Sequence, residues 1–118
     1  MTEKNIVAII QARVASKRFP RKVLKKINDK SLILWVLNRI KKCADIDNIC
    51  VATTQDSSDN ELVNILENEN IFLVRGDTED VLSRYYEAAL ITKATHIIRI
   101  TADCPFVDPD IISKVINL

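Results

Sequence analysis

Four short runs of apolar, largely β-branched residues recur along the chain, NIVAIIQ at 5–11, NICVAT at 48–53, IFLV at 71–74 and HIIRI at 96–100. Runs of this length and composition predict strands covered on both faces, as in a parallel sheet. The segments between them change to helical spacing. Leu32, Trp35, Val36, Ile40 and Cys43 share one helical face, with Asp29 or Ser31 placed to cap it. Ser58-Asp59-Asn60-Glu61 predicts a capping box opening a helix whose inner face carries Leu62, Ile65 and Leu66. From about residue 79 to 92, Val81, Leu82, Tyr85, Ala88 and Ala89 predict a third amphipathic helix, and Asp108-Pro109 marks the start of a fourth. Four βα units in succession predict an α/β fold, a Rossmann-like open, mainly parallel, doubly wound sheet with helices on both faces.

The 118 residues, 47% hydrophobic and 28% charged, suit one globular core, and no internal repeat or linker divides them. No apolar run approaches the ~20 residues that span a bilayer, and the start MTEKNI lacks the pattern of a secretory signal. The expected location is the cytoplasm. Cys43, Cys50 and Cys104 form no C-x-x-C pair, so neither a disulfide framework nor a zinc site is suggested, and Cys43 and Cys50 read as small buried residues.

The net charge of +1 conceals a sorted distribution: residues 1–42 hold 12 Lys and Arg against 2 acids, whereas residues 43–118 hold 5 against 14. Arg39, Lys41 and Lys42 fit the end of a helix, where cations complement its dipole. The loop after the first strand is different. Arg13, Lys17, Arg18, Arg21 and Lys22 fall within ten residues that contain no glycine. A P-loop or a dinucleotide-binding turn uses glycine so that backbone N–H groups close on phosphate, and neither motif is present. A triphosphate held here must rely on side-chain cations, Arg as a fork and Lys as a point charge. A solvated basic loop and a nucleic-acid patch remain open on spacing alone.

The loop after the fourth strand, TADCPFVDPD, supplies the opposite charge. In doubly wound sheets ligands bind beyond the carboxyl ends of the strands, so the two loops are expected to face one crevice. Asp103 is placed to hold Mg²⁺ together with phosphate oxygens, or to cap a turn before Pro105. Asp108 reads as a helix cap, His96 as structural, and Tyr85-Tyr86 as core packing with one edge exposed. Cys104 has no His beside it in sequence to make it a nucleophile.

Gln11-Ala12-Arg13, Ser16, Arg18, Pro20, Lys22-Val23-Leu24, Trp35-Val36, Val51-Ala52-Thr53, Arg75-Gly76, Asp80-Val81-Leu82, Arg84-Tyr85-Tyr86 and the run from Arg99 to Pro105 together resemble the cytidylyltransferase family. Within it they are most similar to the type that acts in spore coat polysaccharide biosynthesis, related to the synthetases of CMP-3-deoxy-manno-octulosonate and CMP-acylneuraminates. The resemblance implies a nucleotide-diphospho-sugar transferase-like fold, with residues 1–118 as its N-terminal, nucleotide-binding part. It implies CTP and a sugar or sugar acid as substrates, Mg²⁺ as cofactor, release of pyrophosphate and a CMP-sugar product for surface polysaccharide. By position, Arg13 and Lys22 would act on the triphosphate, Ser16 and Arg18 would contact phosphate, Arg75 would lie near the nucleotide, and Asp103 would bind the metal. A homodimer is implied for the longer relatives; a membrane is not, and the resemblance speaks against a nucleic-acid partner. Arg21 stands where the family usually has glycine, a change expected to strain or reshape the loop.

Overall fold

The first strand, β1 (Ile6–Gln11), is buried from Ile6 to Ile10 and forms the interior of a four-stranded sheet. The structure is a computed structural model and describes residues 4–14, 24–101 and 116. After β1 come a small antiparallel hairpin, β2 (Lys26–Ile27) and β3 (Lys30–Ser31), then α1 (Leu32–Lys41), β4 (Asn48–Thr54), α2 (Asn60–Leu66), β5 (Phe72–Gly76), α3 (Val81–Thr92) and β6 (His96–Thr101). The main sheet runs β5-β4-β1-β6 and every pair in it is parallel. The strand order therefore reverses between β1 and β6, which is the topological switch point of a doubly wound sheet.

Alternation along the strands decides which helices lie where. Ala8, Ile10 and Val51 pack with Ile33, Val36, Leu37 and Ile40 of α1 and with Leu62 and Leu66 of α2. Val7, Ile9, Cys50, Ala52 and Val74 turn to the other face and meet Tyr85 and Ala88 of α3. Both faces of the sheet are thus covered, as the apolar strand composition predicts. Each fully buried Ile or Leu contributes about 1.5–3 kcal/mol relative to exposure, so β1 and α1 dominate the core. Cys43 and Cys50 are both buried, and burial pushes the Cys50 thiol up to about 12.

Three local expectations are corrected. Asp29 does not cap α1: with Asn28 it forms the turn of the β2–β3 hairpin, both residues at positive φ, while Ser31 occupies the cap position without a side-chain hydrogen bond. The helix after β4 is not opened by a capping box at Ser58. A 3-10 turn over Ser57–Asp59 precedes α2, capped by the Asp56 side chain accepting from Ser58 N–H, and Asp59 is drawn into the interior. The inner face of α3 is also shifted. Val81 and Leu82 are exposed, while Arg84, Tyr85, Ala88 and Thr92 are buried. The helix predicted after Asp108 falls mostly outside the described residues.

On α3 Leu82, Tyr86, Leu90 and Ile91 stay exposed, as does Ile97 of β6, the edge strand of the sheet among the described residues. Tyr85 is buried and Tyr86 exposed, close to the sequence reading of this pair, and the Arg99 guanidinium lies 4.4 Å from the centre of the Tyr85 ring. His96 begins β6, exposed, with Nδ1 3.0 Å from Thr95 Oγ1, at the end of the strand opposite the carboxyl end.

Candidate functional site

Gln11 and Thr101 are register partners, so β1 and β6 end side by side at the switch point. Thr54 and Gly76 close β4 and β5 at the same end, and Gln55 N–H continues the ladder to Gly76 C=O at 3.1 Å. Parallel pairing alone brings the chemistry-bearing turns to one edge, because each strand enters from the same direction.

Arg13 lies two residues beyond β1, after Ala12 N–H has bonded Ala52 C=O at 3.1 Å. Its Nε is buried and has no hydrogen-bond partner among the described residues. The next residue is tied down: Val14 N–H donates to Asp59 Oδ1 at 2.6 Å. The other Asp59 oxygen accepts a short hydrogen bond from Thr54 Oγ1. Asp59 is 1% exposed, and it joins the turn after β1 to that after β4.

Arg75, in β5, braces the same turn from the other side. Its Nε donates to Thr54 C=O at 2.8 Å and its Nη2 to Asp56 C=O at 2.9 Å. The Asp56 carboxyl is held below its usual range by hydrogen bonds from Ser58, with further help from the Arg13 and Arg75 cations. Arg75 is therefore placed at the candidate site, with two of its donors engaged by main-chain carbonyls.

Sequence reasoning did not single out Arg84 for this site. It stands in the first turn of α3, is 0% exposed, and has Nε, Nη1 and Nη2 all buried without hydrogen-bond partners among the described residues. Burial first, then the like charge of Arg13, lowers its pKa from the usual range, while Asp59 and Asp77 oppose that shift. One signal was available. Gly76 is the chain's only glycine, and a Cβ there would stand 2.7 Å from Arg84 Cγ and 3.2 Å from Glu87 Oε2. The missing side chain is what lets Arg84 pass across the end of β5.

Of the predicted site residues, the structure places Arg13 and Arg75 at this edge. Ser16, Arg18, Lys22 and Asp103 lie outside the described residues, as do Arg21, Cys104 and Asp108. Among the described residues no group of three or more His, Cys, Asp and Glu could hold a metal ion. No helix among them is long and apolar enough to cross a membrane.

This arrangement sets buried cationic donors beside a topological switch point, a setting for a polyanionic ligand. A family model described as cytidylyltransferase matches residues 7–117. The chain is 34% identical over 117 residues to the spore coat polysaccharide biosynthesis protein SpsF of Bacillus subtilis, covering 96% of this chain and 49% of that protein. It is 32% identical over 118 residues to a 3-deoxy-manno-octulosonate cytidylyltransferase of Pelobacter propionicus, covering 96% and 44% respectively. A solved cytidylyltransferase from Leptospira borgpetersenii superposes with a TM-score of 0.91 at 29% identity, over 98% of this chain and 48% of that one. The chain spans about half the length of the relatives it matches. By the family model, by these sequences and by its fold, the chain belongs to the cytidylyltransferase family.

Proposed function

We propose that residues 1–118 form the nucleotide-binding part of a CTP-dependent cytidylyltransferase acting on a sugar or sugar acid for surface polysaccharide synthesis. A sugar hydroxyl oxygen attacks the α-phosphorus of CTP, the bond to the β-phosphate oxygen breaks, pyrophosphate leaves, and the hydroxyl proton passes to solvent. A transfer of this kind depends mainly on positioning and on neutralising the charge that develops on phosphate oxygens. The observation that carries this reading is Arg13, which stands at the switch point with a buried Nε lacking any partner among the described residues. The family match over residues 7–117 supports it.

In this reading Arg13 and Lys22 neutralise the triphosphate, Ser16 and Arg18 contact its oxygens, and Arg75 steadies the turn beside the nucleotide through Thr54 and Asp56. Asp103 follows β6 by two residues in sequence and would hold Mg²⁺, which supplies charge neutralisation at the phosphates. The acceptor class follows the names of the relatives, one a polysaccharide biosynthesis protein and one acting on 3-deoxy-manno-octulosonate. A cytoplasmic location and a homodimer complete the proposal, the latter favoured by the exposed Leu82, Tyr86, Leu90 and Ile97.

Calorimetric titration with the four nucleoside triphosphates, with and without Mg²⁺, tests the reading. CTP should bind in preference to ATP, GTP and UTP, and more tightly with Mg²⁺. Equal affinity for all four, or indifference to the metal, would contradict it.

A further inference from the structure

Arg84 and Arg13 arrive from different elements, one from the first turn of α3 and one from just beyond β1; among the described residues all three Arg84 nitrogens and the Nε of Arg13 lack a hydrogen-bond partner. The three Arg84 nitrogens and Arg13 Nε are all closed to solvent. A buried donor left unbonded loses its hydration without compensation, and an arginine does not escape that cost by giving up its proton. The two like charges also disfavour each other. Asp59 offsets part of this, but its oxygens are taken by Val14 N–H and Thr54 Oγ1, and neither is hydrogen-bonded to Arg84. Packing alone does not call for a guanidinium here. An unbranched apolar side chain would fill the space beside Gly76 without burying a charge.

We propose that Arg13 and Arg84 form an oxyanion-binding pair, in which the Arg84 fork receives a phosphate or carboxylate oxygen of the substrate. The proposal rests on the CTP reading and extends it to a residue on a different element. A triphosphate and a sugar acid share the chemistry the fork recognises. Because these donors have already lost their water, an oxyanion gains charge-assisted hydrogen bonds at little further desolvation cost to the protein. The same feature implies that the free protein is held below its attainable stability at this point, as binding sites with unpaired charge are.

Thermal unfolding of the whole chain tests the pair, at constant ionic strength and with chloride as control. The probes are pyrophosphate and, in a separate arm, an eight-carbon 2-keto sugar acid. Pyrophosphate should raise the Tm of the wild type if the pair holds phosphate, and the sugar acid should do so if it holds carboxylate. Arg84→Met should raise the Tm without ligand and weaken binding of the active oxyanion by about ten- to a hundred-fold. Arg84→Lys keeps the charge but not the fork, and should also bind more weakly; this variant carries the test if the methionine substitution does not fold. Lower stability of Arg84→Met with an undiminished oxyanion response would overturn the proposal. So would undiminished affinity in Arg84→Lys, or a wild type indifferent to both oxyanions. CTP binding that ignores both Arg84 substitutions, with the responses to pyrophosphate and to the sugar acid equally unaffected by them, would refute the pair and leave the nucleotide reading standing. An oxyanion response that depends on Arg84, with no preference for CTP, would uphold the pair and remove that reading.

Discussion

The Asp59 carboxylate accepts the Val14 amide at 2.6 Å across 45 residues of sequence, while its other oxygen accepts the Thr54 hydroxyl. One buried acid thus fixes where the chain goes as it leaves β1, and with it the position of Arg13. Asp59→Ala should orphan two buried donors at about 1–3 kcal/mol each. Chemical denaturation should show that loss, and CTP affinity should fall with it. Asp59→Asn, which still offers one oxygen to Val14, should recover part of the stability. An alanine variant within about 0.5 kcal/mol of wild type would contradict this role.

Gly76 permits the passage of Arg84. An added Cβ would stand 2.7 Å from Arg84 Cγ, close to the root of that side chain where it cannot swing aside cheaply. Gly76→Ala should therefore cost about 1–3 kcal/mol, as overpacking does. In a double-mutant cycle, Gly76→Ala combined with Arg84→Ala should be more stable than the sum of the two single effects predicts. Strict additivity would show that the two residues do not interact.

Acid should weaken the turn after β4 through Asp56, whose carboxyl is held below its usual range chiefly by Ser58 hydrogen bonds. A depressed folded pKa means the unfolded chain takes up the proton first as pH falls. The Asp56 contribution is thus complete above the unfolded pKa and disappears as pH drops through the lower folded value. Tm measured from about pH 5 to pH 2 should fall less steeply for Asp56→Asn than for wild type. Parallel profiles would contradict the depressed pKa.

Among the basic residues near β1, Lys22 is proposed to touch phosphate, whereas Lys26 is exposed in the β2–β3 hairpin. Lys22→Ala should weaken CTP binding by about 1.5–3 kcal/mol, the loss expected for a charge-assisted hydrogen bond. Lys26→Ala should leave it unchanged. Equal losses in calorimetry would reduce both residues to a general positive field.

The four strands of the main sheet were legible because a parallel sheet buried on both faces demands unbroken apolar runs such as the IVAII of residues 6–10, whereas the short β2–β3 hairpin, with exposed Lys26 and Ile27, carries no such run. Helix starts were less so. Ser58 and Asp56 are both good caps by type, and tertiary demand decided between them by drawing Asp59 inward toward Val14 and Thr54. On α3, Leu82 reads as core from its apolarity yet is exposed, while the charged Arg84 is buried. Arg13 could be found from the charge run after β1. Arg84 and Asp59 could not, because their significance comes from long-range contacts that local spacing does not encode, apart from the hint given by a solitary glycine at 76.

The central claim is that the triphosphate of CTP meets Arg13 at the carboxyl end of β1. NMR of the arginine side-chain Nε–H groups during a titration with CTP and Mg²⁺ reads this contact directly, with an Arg13→Lys variant assigning the signal. The Arg13 Nε–H resonance should shift progressively and saturate at the CTP concentration that saturates the calorimetric isotherm, while that of Arg39 on α1, remote from this edge, stays fixed. CTP binding that saturates in calorimetry and leaves the Arg13 resonance unmoved would contradict the claim.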